Sequence, residues 1–216
     1  MRTWPKRLIT AAILLLLTLP LFAGGSAPAE EYEIVTVVKI TGIPWFNRLE
    51  EGVNQANSDL DVNAYQLGPA DADPAQQVKI VEDLVSKGVD AICVVPNDAK
   101  ALEPAFAKAK AAGIVVLTHE SPDQVGKDYD IELIDNVEFG RHHWDKLVEF
   151  MGDTGQYAIF VGGLTVPLHN LWADEGLKWA KEKYPGLELV TKRIPCERNR
   201  NFPSKKPLRW SKLILT

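Results

Sequence analysis

Beyond residue 30 the chain alternates short runs of β-branched and apolar residues with longer segments whose apolar positions recur every three or four residues. These are the periods of buried strands and of amphipathic helices. The run 34–40 predicts a strand and 45–59 a helix; 62–67 and 74–87 repeat the pair, as do 90–95 and 98–112, and 114–118 supplies a fourth strand. The punctuation agrees with the period. Asp73-Pro74 has the form of an N-cap followed by proline at the first helical position, Lys87-Gly88 closes the second helix and Gly113 the third. Residues 129–134 then predict a short strand, 137–151 a helix, 156–161 a strand, 167–183 a helix and 187–193 a last strand.

Strands that are apolar on both faces and alternate with helices imply a parallel sheet covered on both sides through right-handed crossovers, a doubly wound α/β architecture. The first five strands complete a ligand-binding-sized domain over 30–153, and 154–196 is expected to be part of a second α/β domain. Periodicity leaves open whether the strand at 156 starts a new sheet or extends the first.

The ends change the picture. Residues 1–29 show a basic start at Arg2, Lys6 and Arg7, an apolar run and a small-residue exit with Ala23 and Ala27-Pro28-Ala29. That layout predicts a signal peptide cleaved after Ala23 or Ala29, and with it delivery to the periplasm or cell envelope. Residues 197–216 lose the periodicity and gather Arg198, Arg200, Lys205, Lys206, Arg209 and Lys212, which reads as an aberrant basic tail. The whole chain carries a formal net charge of -5. Without a basic stripe to neutralise phosphates, nucleic acid is not an expected partner. Cys93 lies in an apolar run and Cys196 stands apart, so no disulfide framework is expected.

In an open parallel sheet, ligands bind outside the carboxyl ends of the strands. The loops there carry Lys39, Trp45 and Phe46 after the first strand, Asn97 and Asp98 after the third, His119 and Glu120 after the fourth, Asn136 after the fifth, and His169 and Asn170 after the sixth. Planar bidentate groups beside an aromatic face suit the hydroxyls and apolar C–H face of a sugar. Lys39 stands out because a cation ending an apolar strand needs a polar partner. Asp98 is expected to cap the following helix, Trp45 and Phe46 serve equally well as a ligand platform or as the start of a core face, and His142 and His143 read as surface or packing residues. No metal-ligand spacing, dinucleotide fingerprint, phosphate loop or nucleophile elbow occurs, so neither a cofactor nor a catalytic set is expected.

The ordered set Lys39-Ile40-Thr41-Gly42-Ile43-Pro44-Trp45-Phe46, Pro69 to Pro74, Gly88-Val89-Asp90-Ala91-Ile92, Leu117-Thr118-His119-Glu120 and Gly163-Leu164-Thr165-Val166-Pro167 resembles the type I periplasmic solute-binding proteins of ABC importers. The similarity runs from about Tyr32 to Cys196 and is strongest to the branch of autoinducer-2 and rhamnose-type sugar receptors. It implies a two-domain clamp that closes over a small sugar-like ligand and docks as a monomer on an ABC permease in the membrane. It also carries two roles across: Lys39 and Glu120 match ligand-binding positions of the autoinducer-2 receptors. The family's Asp-Gln pair falls where this chain has Leu168-His169, which favours a simple sugar over autoinducer-2. The same clamp serves receptors that report to a membrane sensor kinase, a second reading; an exported enzyme is a third that no motif recommends. Receptors of this kind are longer, so the resemblance also implies a product truncated at its C-terminal side.

Overall fold

The structure, a computed structural model, describes residues 31–196. The signal-peptide and basic-tail expectations lie outside the described residues. Within them the order is β1 (Tyr32–Val37), α1 (Pro44–Asp59), β2 (Val62–Leu67), α2 (Pro74–Lys87), β3 (Ala91–Val94), α3 (Ala99–Ala111), β4 (Val115–His119), β5 (Tyr129–Ile131), α4 (Asn136–Met151), β6 (Thr154–Tyr157), β7 (Phe160–Val161), α5 (Pro167–Lys183), β8 (Gly186–Leu189) and β9 (Ile194–Pro195). Strands β1 to β5 form one parallel sheet in the order β2-β1-β3-β4-β5.

Residue alternation along these strands decides the layers. Val35 and Val37 of β1, Ile92 and Val94 of β3 and Val116 of β4 share one row and bury against Val81 and Leu84 of α2 and Leu102, Ala105 and Phe106 of α3. Val38 and Val95 continue the opposite row and pack with Phe46, Ile43 and Leu49 at the start of α1. The sheet is therefore wound on both faces. Asp73 caps α2 by accepting from the backbone N–H groups of Ala75 and Gln76, and Gly88 ends that helix at φ 78°, in the left-handed region where a Cβ is disfavoured. Asp98 caps α3 through Ala101 N–H, as the sequence implies, and Asp135 caps α4.

Several sequence-derived bounds are corrected. The strand expected over 129–134 stops at Ile131, because its partner β4 ends where Glu120 turns to φ 61° and leaves the extended region. The strands expected over 156–161 and 187–193 each break in two. β6 pairs in parallel with β8 and β7 with β9, as separate two-stranded sheets. Val190 N–H bonds Tyr157 C=O and Ile194 N–H bonds Ile159 C=O. Thr191 to Arg193 thus loop out on one side against a single step on the other, and the ladder cannot continue in register. Neither short pair joins the five-stranded sheet. Helices α4 and α5 pack closely on each other, with Gly140 and Gly176 at the point of nearest approach.

Candidate functional site

The order β2-β1-β3-β4-β5 reverses direction between β1 and β3, and at such a switch point the loops leaving neighbouring strands part to form a crevice. Lys39 leaves β1 and Asn97 leaves β3, one on each side of that point. A cavity of about 930 Å³ opens there. Its floor is polar, with Lys39, Asn97, His119, Glu120 and Glu132 from the large sheet; the facing wall, from α4, β6, β7 and α5, is apolar and aromatic, with Phe139, Tyr157, Phe160 and Trp172.

Lys39 is 6% and Glu120 7% exposed, and Lys39 Nζ lies 2.5 Å from Glu120 Oε2. Burial pushes the Lys39 ammonium below its usual range, opposed by the Glu120 charge. Burial also pushes the Glu120 carboxyl up, but the charge and hydrogen bond of Lys39 outweigh it and hold the group below the ordinary carboxylate value. Each partner thus favours the charged form of the other. Glu120 is the single non-glycine residue among those described with a positive φ. Such a turn costs of order 1 kcal/mol or more, and it is held here because it swings the carboxylate off the strand to meet Lys39.

The backbone around the pair is fixed by a buried amide. Gln77 of α2 is fully buried; its Nε2 donates to the carbonyls of Val38 at 3.2 Å and Val95 at 2.9 Å, and its Oε1 accepts from Asn97 N–H at 2.8 Å. Asn97 Nδ2 in turn donates to Lys39 C=O at 2.8 Å. One helix side chain thus ties together both strand exits at the switch point. Sequence reasoning missed Gln77; the available signal was a glutamine on the same helical stripe as Val81 and Leu84, a polar residue facing the core.

His119 Nδ1 lies 2.6 Å from Ile131 C=O, which can only accept, so the ring carries its proton on Nδ1 and turns Nε2 toward Glu120 Oε1 at 3.9 Å. His169 is set the other way: its Nδ1 accepts from Gly162 N–H at 2.9 Å, so neutral His169 presents Nε2–H. Gly162 has no room for a side chain there, since a Cβ would sit 2.7 Å from the His169 ring.

Of the residues predicted for the site, Lys39, Trp45, Phe46, Asn97, His119, Glu120, Asn136 and His169 all line this cavity. Trp45 is 58% exposed at its rim, whereas Phe46 is buried in the core cluster with Val38, Ile40 and Val95. Asn136 spends both ends of its amide inside the fold, donating to Glu132 Oε2 and accepting from Trp172 Nε1. Asn170 does not line the cavity; it donates to the carbonyls of Gly163 and Val166 and accepts from Arg193. His143, read as a surface or packing residue, is exposed yet borders the cavity, its ring edge-on to Phe139. The carboxylate of Glu132 was not anticipated at all. Cys93 is half-buried, and its thiol is pushed up to about 11 by desolvation, so it stays protonated at neutral pH.

A family model described as a periplasmic binding protein domain matches residues 34–203, and the chain belongs to that family. The ribose import binding protein of Bacillus subtilis is 26% identical over 167 residues, covering 77% of this chain and 53% of that protein. The D-ribose/D-allose-binding protein of Pseudomonas aeruginosa is 34% identical over 122 residues, covering 54% of this chain and 38% of that one. Among solved structures, an ABC transporter solute-binding protein from Burkholderia graminis in complex with D-arabinose superposes with a TM-score of 0.68 at 25% identity, over 77% of this chain and 57% of that one. The chain spans about half, or less, of the length of these curated relatives. The periplasmic binding protein type I fold expected from the sequence is the one observed. The family is one of solute-binding proteins rather than enzymes.

Proposed function

We propose that the chain captures a small polyhydroxylated ligand, a simple sugar or sugar-like molecule, as the solute-binding component of an ABC-type importer. The observation that carries this reading is the cavity at the switch point. Its floor offers a buried cation, carboxylates, an amide and imidazoles to hydroxyl groups, and its facing wall offers apolar and aromatic surface to a sugar's C–H face. The family and the ribose, allose and arabinose ligands named for its relatives support the same class. The ion pair of Lys39 and Glu120 would meet ligand hydroxyls, with Asn97, His119 and His169 as further contacts and Trp45 at the rim. The importer reading brings a membrane permease as partner, a monomeric receptor and an N-terminal signal peptide that exports it to the periplasm. Among the described residues no helix is long and apolar enough to cross a membrane.

The test is a thermal-shift screen of the full chain against D-ribose, D-allose, D-arabinose, L-rhamnose and xylitol. A ligand bound only to the native state raises the melting temperature, by an amount equivalent to about 2.7 kcal/mol at a hundredfold excess over Kd. A selective rise with one or two of these polyols is expected. A cooperative melt that none of them moves would overturn the reading.

A further inference from the structure

Strand β4 ends on His119, and along an extended strand the next side chain points to the opposite face of the sheet. Glu120 breaks that alternation. Its φ of 61° turns the carboxylate back, so His119 and Glu120 both line the cavity although they are consecutive, with His119 Nε2 3.9 Å from Glu120 Oε1. Each group is anchored through its other atom: His119 Nδ1 donates to Ile131 C=O at 2.6 Å, and Glu120 Oε2 accepts from Lys39 Nζ at 2.5 Å. Among the described residues neither Nε2 nor Oε1 has a hydrogen-bond partner, yet neither is closed off from solvent. Both atoms open on the cavity.

With its proton on Nδ1, His119 presents a lone pair at Nε2, and the Glu120 carboxylate presents another at Oε1. Two neighbouring acceptors in a largely buried site are costly until each receives a donor. The charged and titratable groups that face the pair are Lys39 from the exit of β1, bonded to Oε2, Glu132 beyond β5, and His169 of α5. None of them donates to Oε1 or to Nε2. A single ligand hydroxyl carries one proton and satisfies one acceptor only. Two hydroxyls on adjacent carbons bring two protons side by side. A ligand ammonium brings enough protons as well, but it has to share the Glu120 carboxylate with Lys39 against the repulsion between two cations.

We propose that Glu120 Oε1 and His119 Nε2 work as a paired acceptor that selects ligands presenting two adjacent hydroxyls, which makes His119 a specificity-determining residue. This rests on the sugar-binding reading above and deepens it by naming the ligand group that the cavity floor reads. The positive φ of Glu120 thereby has a second use, since it brings the two acceptors to one side of the strand. Acid opposes the pair. A proton on Nε2 turns the ring into a donor to Oε1, closes the pair on itself and withdraws both acceptors from the ligand at once.

The experiment changes ligand and protein together, by thermal-shift titration of the full chain. The probes are D-ribose and D-allose, with the forms of each that lack one hydroxyl at a time. The variant is His119→Asn, whose amide N–H keeps the place of Nδ1 against Ile131 C=O while nothing remains at the position of Nε2. For wild type, removing either of two neighbouring hydroxyls should weaken binding at least about tenfold, because a site built to receive a hydroxyl rejects the analogue lacking it. In H119N the penalty at one of those two positions should disappear and the other should remain, the mark of a direct contact in a double-mutant cycle. Affinity of wild type for the parent sugar should also fall from about pH 8 to about pH 5, the span over which imidazoles change charge, and fall less in H119N. The same pattern of penalties in both proteins overturns the proposal, as does a wild type in which no two neighbouring positions matter. If H119N does not melt cooperatively, wild type alone decides: neighbouring penalties together with the acid loss uphold the pair, and the absence of either overturns it. A wild type that neither parent sugar moves overturns the sugar-binding reading, and the pair with it.

Discussion

A buried ion pair is cheap to keep and expensive to halve, because the attraction between its members only offsets the desolvation of both. Lys39 and Glu120 are such a pair, and Lys39→Met would strand the Glu120 carboxylate behind 7% exposure. A loss of about 3–5 kcal/mol is expected for that variant in urea denaturation, whereas Lys39→Met combined with Glu120→Leu should lose less than the single change. The pair also sets an acid limit. Because the folded pKa of Glu120 lies below its unfolded value of about 4.3, its contribution is complete above that pH and disappears as pH falls through the lower, folded value. Wild-type stability should therefore drop more steeply than that of the double variant between pH 5 and pH 3, measured by denaturant midpoints; parallel slopes would contradict it. These two residues were legible in the sequence because charged side chains end otherwise apolar strands, a local conflict that only a partner resolves. Gln77 and Glu132 were not. Each interrupts an apolar pattern by one residue, and what distinguishes a functional interruption from a solvated one is which atoms lie opposite, a property of the assembled fold.

At the scale of elements, the site depends on two joints that sequence period places but does not describe. The first is Gln77, whose amide spans the exits of β1 and β3. Gln77→Leu keeps the apolar stripe of α2 continuous yet leaves two carbonyls and an N–H without their partner. A loss of at least about 2 kcal/mol is expected, with ligand affinity falling in parallel because Asn97 and Lys39 are displaced; unchanged binding in a stable variant would show that the joint does not steer the site. The second joint is the contact of α4 with α5. A Cβ on Gly140 would lie 2.7 Å from Trp172 C=O, and one on Gly176 1.9 Å from Trp144 Nε1. Gly140→Ala meets backbone and must push the helices apart, costing about 1–3 kcal/mol by the usual penalty for overpacking, and it should move Trp172 away from Asn136. Tryptophan fluorescence together with the melting temperature reads both effects. Helix positions and caps were readable to within a residue or two because Asp73-Pro74 and Asp98 act locally. The breaks inside the expected strands at 156–161 and 187–193 were not, since they arise from a mismatch between two segments about thirty residues apart.

For the whole molecule the two sides of the cavity are built unequally. The five-stranded sheet buries a continuous core between α2, α3 and its central strands, with Val35, Ile92, Val94 and Phe106 fully enclosed. The opposite wall rests on two strand pairs four and two residues long together with the α4–α5 contact. Short two-stranded pairs are marginal by themselves, and opening free energy follows local burial. Native-state hydrogen exchange is therefore expected to show two levels: amides of β1, β3 and β4 protected near the global limit, and amides of β6 to β9 exchanging through a smaller opening. Thr165 Oγ, which donates to Asn97 C=O at 3.1 Å, joins the two sides next to the site. A ligand held by Lys39 and Glu120 below and by the aromatic wall above would add to that link. Saturating ligand should consequently slow exchange in β6 to β9 more than in β3. Uniform protection from β1 through β9 without ligand would mean that the molecule unfolds as one cooperative unit, and that the second wall draws its stability from the first.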